Sequence, residues 1–147
     1  MANLAVMLAI SSAAHEGQYD KMGQPYFLHP LRVMNNLETN DEELKIIALG
    51  HDLFEDTDVT PGQLEMEGFS DRVILGIEAL TKRKEKSPED YLAGILANRD
   101  AIRVKLADLE DNMNPRRMVG ITEKDLARMQ KYQIMYWTLK EKLKDTK

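Results

Sequence analysis

The nine residues from Gly50 to Asp58, "GHDLFEDTD", bring one histidine and four acids together directly after an apolar run, "LKIIAL". Carboxylates grouped beside buried surface are costly unless a cation or a set of donors neutralises them. Read as a helix ending near Glu55, the segment stacks Glu55 one turn beyond His51, and Asp56 one turn beyond Asp52 if the helix continues. Adjacent His51 and Asp52 can then reach one metal ion, with two further carboxylates a turn away, where a water and a substrate would lie. Acids at a helix C-terminus also meet the negative end of its dipole, so the arrangement calls for a compensating partner.

Two other segments offer candidates. "YFLHPLRV" sets His29 among apolar residues just before a helix start, and "VKLADLEDNM" carries Asp108. Alone, a histidine such as His29 is more often a hydrogen-bonded core residue than a ligand. Asp108 lies off the apolar stripe of Ile102, Leu106, Leu109 and Met113, on the face of Val104 and Asn112, and alone it reads as a surface charge. Taken together, His29, His51, Asp52 and Asp108 make a two-His, two-Asp set. Such a shell suits manganese, iron or zinc and leaves positions open for water and substrate.

The elements that must position these residues are helical almost throughout. Residues 2 to 16 are predicted as a first helix, followed by the loop "GQYDKMGQPY"; a short helix is expected from Pro30 to about Leu37. Asp41 caps a helix running through "ELKIIALGHDLFE", and Thr60 with Gln63 carries the signature of a capping box. Ser70 and Ser87 cap two more, "RDAIRVKLADLEDNM" is another, stopped by Pro115, and Thr122 with Asp125 opens a last helix ending in "KEKLKDTK". Nothing alternates convincingly over strand length apart from short ambiguous runs such as "DRVIL". The expectation is one all-α domain over residues 1–147.

The composition narrows the function classes. A formal charge of −5 argues against broad phosphate neutralisation on a nucleic-acid polymer, though it leaves room for a local basic pocket. With no cysteine, neither a disulfide framework nor a zinc–thiolate site can form, which fits a reducing cytoplasm. The opening "MANLAVMLAISSAAHEG" has the apolar run of a secretory signal but no Lys or Arg before it, so no signal peptide is expected. No later stretch is long and apolar enough for a bilayer span, and no membrane role is expected.

An upstream histidine, a His-Asp pair and a later helical aspartate together resemble the HD phosphohydrolase superfamily. More narrowly, "AAHEGQYDKMGQPYFLHPLRV", "HDLFEDTDVT" and "VKLADLEDNM" resemble, in order, the three signature segments of RelA/SpoT-type alarmone hydrolases, over roughly residues 5 to 135. The resemblance implies an HD-domain helical bundle and a stand-alone small alarmone hydrolase. It implies a manganese ion, or another divalent metal, held by His29, His51, Asp52 and Asp108. Glu55 and Asp56 match the pair associated with hydrolysis, and the reaction implied is release of pyrophosphate from the 3′ position of a nucleotide such as ppGpp. Lys21, Asn112 and Tyr132 match substrate-contacting positions, and His15 and Gln18 belong to the same first segment and are candidate lining residues. Tyr132 also falls on the apolar stripe of the last helix, where one tyrosine can pack and contact a ligand. The run Lys82, Arg83, Lys84 can attract phosphates but reads more simply as a solvated face.

Two positions depart from the pattern: Asp20 and Leu109 stand where the family commonly has arginine. An acid in place of a planar cation removes a stacking partner for a base. If Asp20 reaches the base edge it can accept from guanine N1–H and N2; if it points to solvent, base selectivity is poor. The competing readings are an HD phosphohydrolase acting on another nucleotide and a catalytically silent nucleotide- or partner-binding module. Retention of both Glu55 and Asp56 counts against the silent module, and the oligomeric state, a homodimer included, is left open.

Overall fold

The computed structural model describes residues 2–145. Its elements are α1 (Leu4–Ala14), α2 (Leu28–Asn36), α3 (Glu42–Gly50), α4 (Leu53–Asp56), α5 (Pro61–Met66), α6 (Asp71–Ala79), α7 (Pro88–Leu96), α8 (Arg99–Asn112) and α9 (Glu123–Asp145), with a 3-10 turn at Pro115–Arg117. The only extended pairing among the described residues is an isolated antiparallel bridge between Tyr19 and Pro25. The all-α expectation holds, and "DRVIL" lies within α6. The final residues of the last expected helix, Thr146 and Lys147, lie outside the described residues.

Local chemistry starts the helices where the sequence places them. Asp41, Ser70 and Ser87 each accept a backbone N–H two or three residues into α3, α6 and α7. Thr60 and Gln63 close a capping box on α5, and Thr122 and Asp125 bond reciprocally at the start of α9. Boundaries differ from expectation at two places that matter for the candidate residues. α2 begins at Leu28 rather than Pro30, so His29 lies inside it rather than before its start. The helix through "ELKIIALGHDLFE" ends at Gly50; His51 and Asp52 form a turn, and the four-residue α4 follows.

α3 is the hub, packed against α1, α2, α6 and α8, with Leu44 and Ile46 to Gly50 all buried. Two glycines set how closely its neighbours come. A Cβ at Gly76 would stand 2.7 Å from Ile47 Cδ1, and one at Gly50 would stand 2.8 Å from Ile77 Cδ1. α8 is covered by α2, α7 and α9 as well as α3, which buries Val104 and Asp108 together with Ile102, Leu106 and Leu109 of the apolar stripe. Asp108 is thus interior, contrary to the surface charge that its position off the stripe suggests.

Candidate active site

Three elements converge on one small cavity of about 150 Å³. α2 brings His29, the turn after α3 brings His51 and Asp52, and α8 brings Asp108. One donor atom each from His29, His51 and Asp108 lie within 4.8 Å of one another, and all three residues are buried. Asp52 adds a fourth: its Oδ2 is 3.2 Å from His51 Nε2 and 3.8 Å from His29 Nε2. The sequence-selected set therefore lies together, with His29, His51 and Asp108 as the tight group and Asp52 beside the two imidazoles.

The tautomers favour a cation there. His51 Nδ1–H donates to the Ala48 carbonyl at 2.7 Å, leaving Nε2 to face the cluster. That Nε2 is buried, with Asp52 and Asp108 oxygens 3.2 and 3.4 Å away but neither aligned as a hydrogen bond, an arrangement that suits a metal-ligating imidazole. With no cation, protons take its role. Burial opposes charge on His51, yet Asp52 and Asp108 overcome it and raise the ring to about 9. His29 is likewise raised against its burial, by hydrogen bonds to Asp108 and Asp111. Asp108 is held well below the usual range because Lys105 and both imidazoles outweigh its desolvation. A mixed nitrogen and carboxylate set in such a pocket fits a divalent metal.

Glu55 and Asp56 line the same cavity, and each is anchored. Glu55 Oε1 accepts the Lys82 backbone N–H at 2.8 Å. The Asp56 carbonyl accepts from the Gln18 side chain at 2.9 Å. Lost solvation, together with Asp52 and Glu55, pushes the Asp56 carboxyl up to about 6.

A larger cavity of about 820 Å³ adjoins the first, with Tyr26, Asn112 and Tyr132 lining both. Lys21 lines the larger one, beside Arg117, Lys124 and Arg128. His15 and Gln18 stand one layer back and line neither. His15 is buried, its Nδ1 2.9 Å from Gln18 Oε1 and its ring 5.2 Å from that of Tyr26, so this pair supports the wall. Asp20 Oδ1 accepts from the backbone N–H groups of Met22 and Gln24, while Oδ2 lies 4.0 Å from Arg117. One oxygen is thus committed to its own loop. Leu109 is fully buried and contributes to the core.

Sequence reasoning missed three contributors. The Tyr26 hydroxyl donates to Asp52 Oδ2 at 2.6 Å. Lys105 Nζ lies 2.8 Å from Asp108 Oδ2, and Asp108 and Tyr91 hold its ammonium protonated despite burial. Asp111 meets His29 from the far side. Each sits three residues from a chosen ligand, Tyr26 before His29 and Lys105 and Asp111 on either side of Asp108, and for the two on α8 that helical neighbour spacing was the available signal. Lys82 also departs from a plain solvated face. It lines the small cavity, with its ammonium 5.6 Å from the centre of the Tyr91 ring.

This fold is the all-helical HD-domain fold, seen in a solved structure described as "A metazoan ortholog of SpoT hydrolyzes ppGpp and plays a role in starvation responses". The two align with a TM-score of 0.76 at 23% identity, over 99% of this chain and 93% of that one. In sequence the chain is 34% identical over 128 residues to a guanosine-3′,5′-bis(diphosphate) 3′-pyrophosphohydrolase of Haemophilus influenzae, covering 81% of this chain and 19% of that protein. It is 38% identical over 107 residues to the Aquifex aeolicus protein of the same name, covering 68% and 15%. It is 33% identical over 129 residues to the bifunctional (p)ppGpp synthase/hydrolase SpoT of Escherichia coli, covering 81% and 18%. Over most of its length the chain is homologous to these SpoT-type proteins, and it spans less than a fifth of the length of each. No family model matches it. Among the described residues, no helix is long and apolar enough to cross a membrane.

Proposed function

We propose that this chain is a metal-dependent hydrolase that removes pyrophosphate from the 3′ position of a guanosine polyphosphate of the ppGpp type. The observation that carries the reading is the gathering of His29, His51, Asp52 and Asp108 beside the carboxylates of Glu55 and Asp56, which line the same cavity. Manganese is the first candidate for the cation, and those four residues would hold it. Bound there, it would supply Lewis acidity toward a water and a phosphoryl oxygen.

The chain's own groups account for the rest. Glu55 and Asp56 orient the attacking water and accept its proton. Water oxygen joins phosphorus, the bond from phosphorus to the ribose 3′ oxygen breaks, the 3′ oxygen takes up a proton, and the nucleoside 5′-diphosphate and pyrophosphate are the products. Lys105 and Lys82, both on the small cavity, balance charge on the phosphoryl oxygens. Lys21 and Arg117 on the larger cavity suit a nucleotide carrying further phosphates, with Asn112 and Tyr132 at the junction. The reading implies a cytoplasmic protein acting on a small nucleotide rather than on a nucleic-acid polymer or a membrane.

The deciding experiment incubates manganese-loaded protein with ppGpp and follows pyrophosphate release, with and without chelator. Release that stops with chelator and returns with manganese supports the reading; full activity in excess chelator with no metal detected by elemental analysis overturns it. A second reading, hydrolysis of another nucleotide, is favoured by Asp20, which stands beside Arg117 on the larger cavity. The ratio of kcat/KM for ppGpp and ppApp separates the two.

A further inference from the structure

His29 is held between two aspartates that α8 presents three residues apart. Asp108 Oδ1 lies 2.8 Å from its Nε2, on the side of the metal cluster. Asp111 Oδ2 lies 2.6 Å from its Nδ1, on the opposite side. Asp111 is buried, and its charge is matched by two arginines: Arg32 Nε donates to Oδ1 at 2.8 Å, and Arg117 Nη1 lies 3.0 Å from Oδ2. The two imidazoles of the cluster thus differ behind the site. His51 has a neutral carbonyl on its Nδ1, whereas His29 has a carboxylate.

We infer that Asp111 is a positioning residue for metal binding: its carboxylate fixes His29 as the Nδ1–H tautomer, so that Nε2 offers its lone pair to the cation. The inference rests on the metal reading above. A carboxylate accepting from the remote ring nitrogen sets ring orientation and raises ligand basicity, and a neutral acceptor does so less. Arg32 and Arg117 let this carboxylate stay ionised while buried, since an unpaired one would be strongly disfavoured. Arg117 also lines the larger cavity and donates to Asn112 Oδ1 at 3.0 Å. The support behind His29 therefore reaches the wall where the nucleotide is proposed to lie.

The test titrates Mn²⁺ alone into wild-type protein and Asp111→Asn, by calorimetry, with helical content checked by circular dichroism. The expected result is one site in wild type and affinity weakened about tenfold to a hundredfold in the variant. Equal affinities in two folded proteins overturn the role of Asp111, whereas a wild type that takes up no Mn²⁺ overturns the metal reading itself. Should the variant fail to fold, ¹⁵N-histidine spectra of zinc-loaded wild type decide. Nδ1 protonated and Nε2 ligated on His29 supports the assignment, and the reverse overturns it.

Discussion

The phenol of Tyr26 and the carboxylate of Asp52 meet at 2.6 Å, joining the loop before α2 to the turn after α3. The bond fixes one oxygen of a proposed metal ligand. Burial, followed by the Asp52 charge and this bond, holds the phenol far above its ordinary range, so it stays a donor at every working pH. Tyr26→Phe should leave the helical spectrum intact and weaken Mn²⁺ binding about tenfold, the scale for losing an outer partner of a ligand. Unchanged binding would show that the phenol only packs.

Asp52→Ala goes further and removes a donor outright. Metal and activity should be lost together while the protein stays largely helical, because Asp52 is only partly buried and terminates no long helix. Elemental analysis of the purified variant, beside its circular dichroism, checks both halves.

Glu55→Gln and Asp56→Asn address the chemical step. Both side chains line the small cavity, but neither is among the residues lining the large one. Turnover should fall by about 10²- to 10⁴-fold, with a much smaller change in KM, because these groups are proposed to act on the water. Wild-type turnover in both variants would remove their assigned roles.

How legible was this arrangement in the sequence? The caps at Asp41, Thr60, Ser70, Ser87 and Thr122 were, because a cap is decided within four residues. The four cluster residues, selected because their chemistry makes sense only together, lie near one another in the fold. The break at His51 and Asp52 was missed although Gly50 directly precedes it, because a glycine inside a helical pattern is tolerated and does not by itself end a helix. The burial of Asp108 was hidden for a related reason. An apolar stripe predicts one covered face, whereas α8 is covered on several sides. Asp20 carried the least information, since its loop turns back on its own carboxylate.

Away from the site, Arg72 spans Asp41, Glu43 and Asp100, with its Nη2 2.6 Å from Asp41 Oδ2. That pairing, more than the opposing burial, holds the Asp41 carboxyl below the usual range. A depressed carboxyl contributes stability above its unfolded value of about 4, and loses it as pH falls through the lower folded value. Arg72→Met should cost about 1 kcal/mol at neutral pH, the upper end for exposed pairs. The Tm gap from wild type should then narrow below about pH 4, where the unfolded-state carboxyl begins to protonate. A gap that is constant from pH 7 to pH 3 would contradict the pairing.

The close approach at Gly50 and Gly76 bears on how the protein would fail when heated. The turn carrying His51 follows directly from a helix end seated on Met7 and Ile77 with room for a hydrogen atom and little else. A segment held by such close contacts lacks the low-energy opening modes of loops and ends. The turn carrying the proposed ligands His51 and Asp52 is then expected to come apart with the molecule as a whole. Inactivation and loss of helix should follow one curve on heating, and a thermal optimum well below the melting point would mean that some other part of the site gives way first.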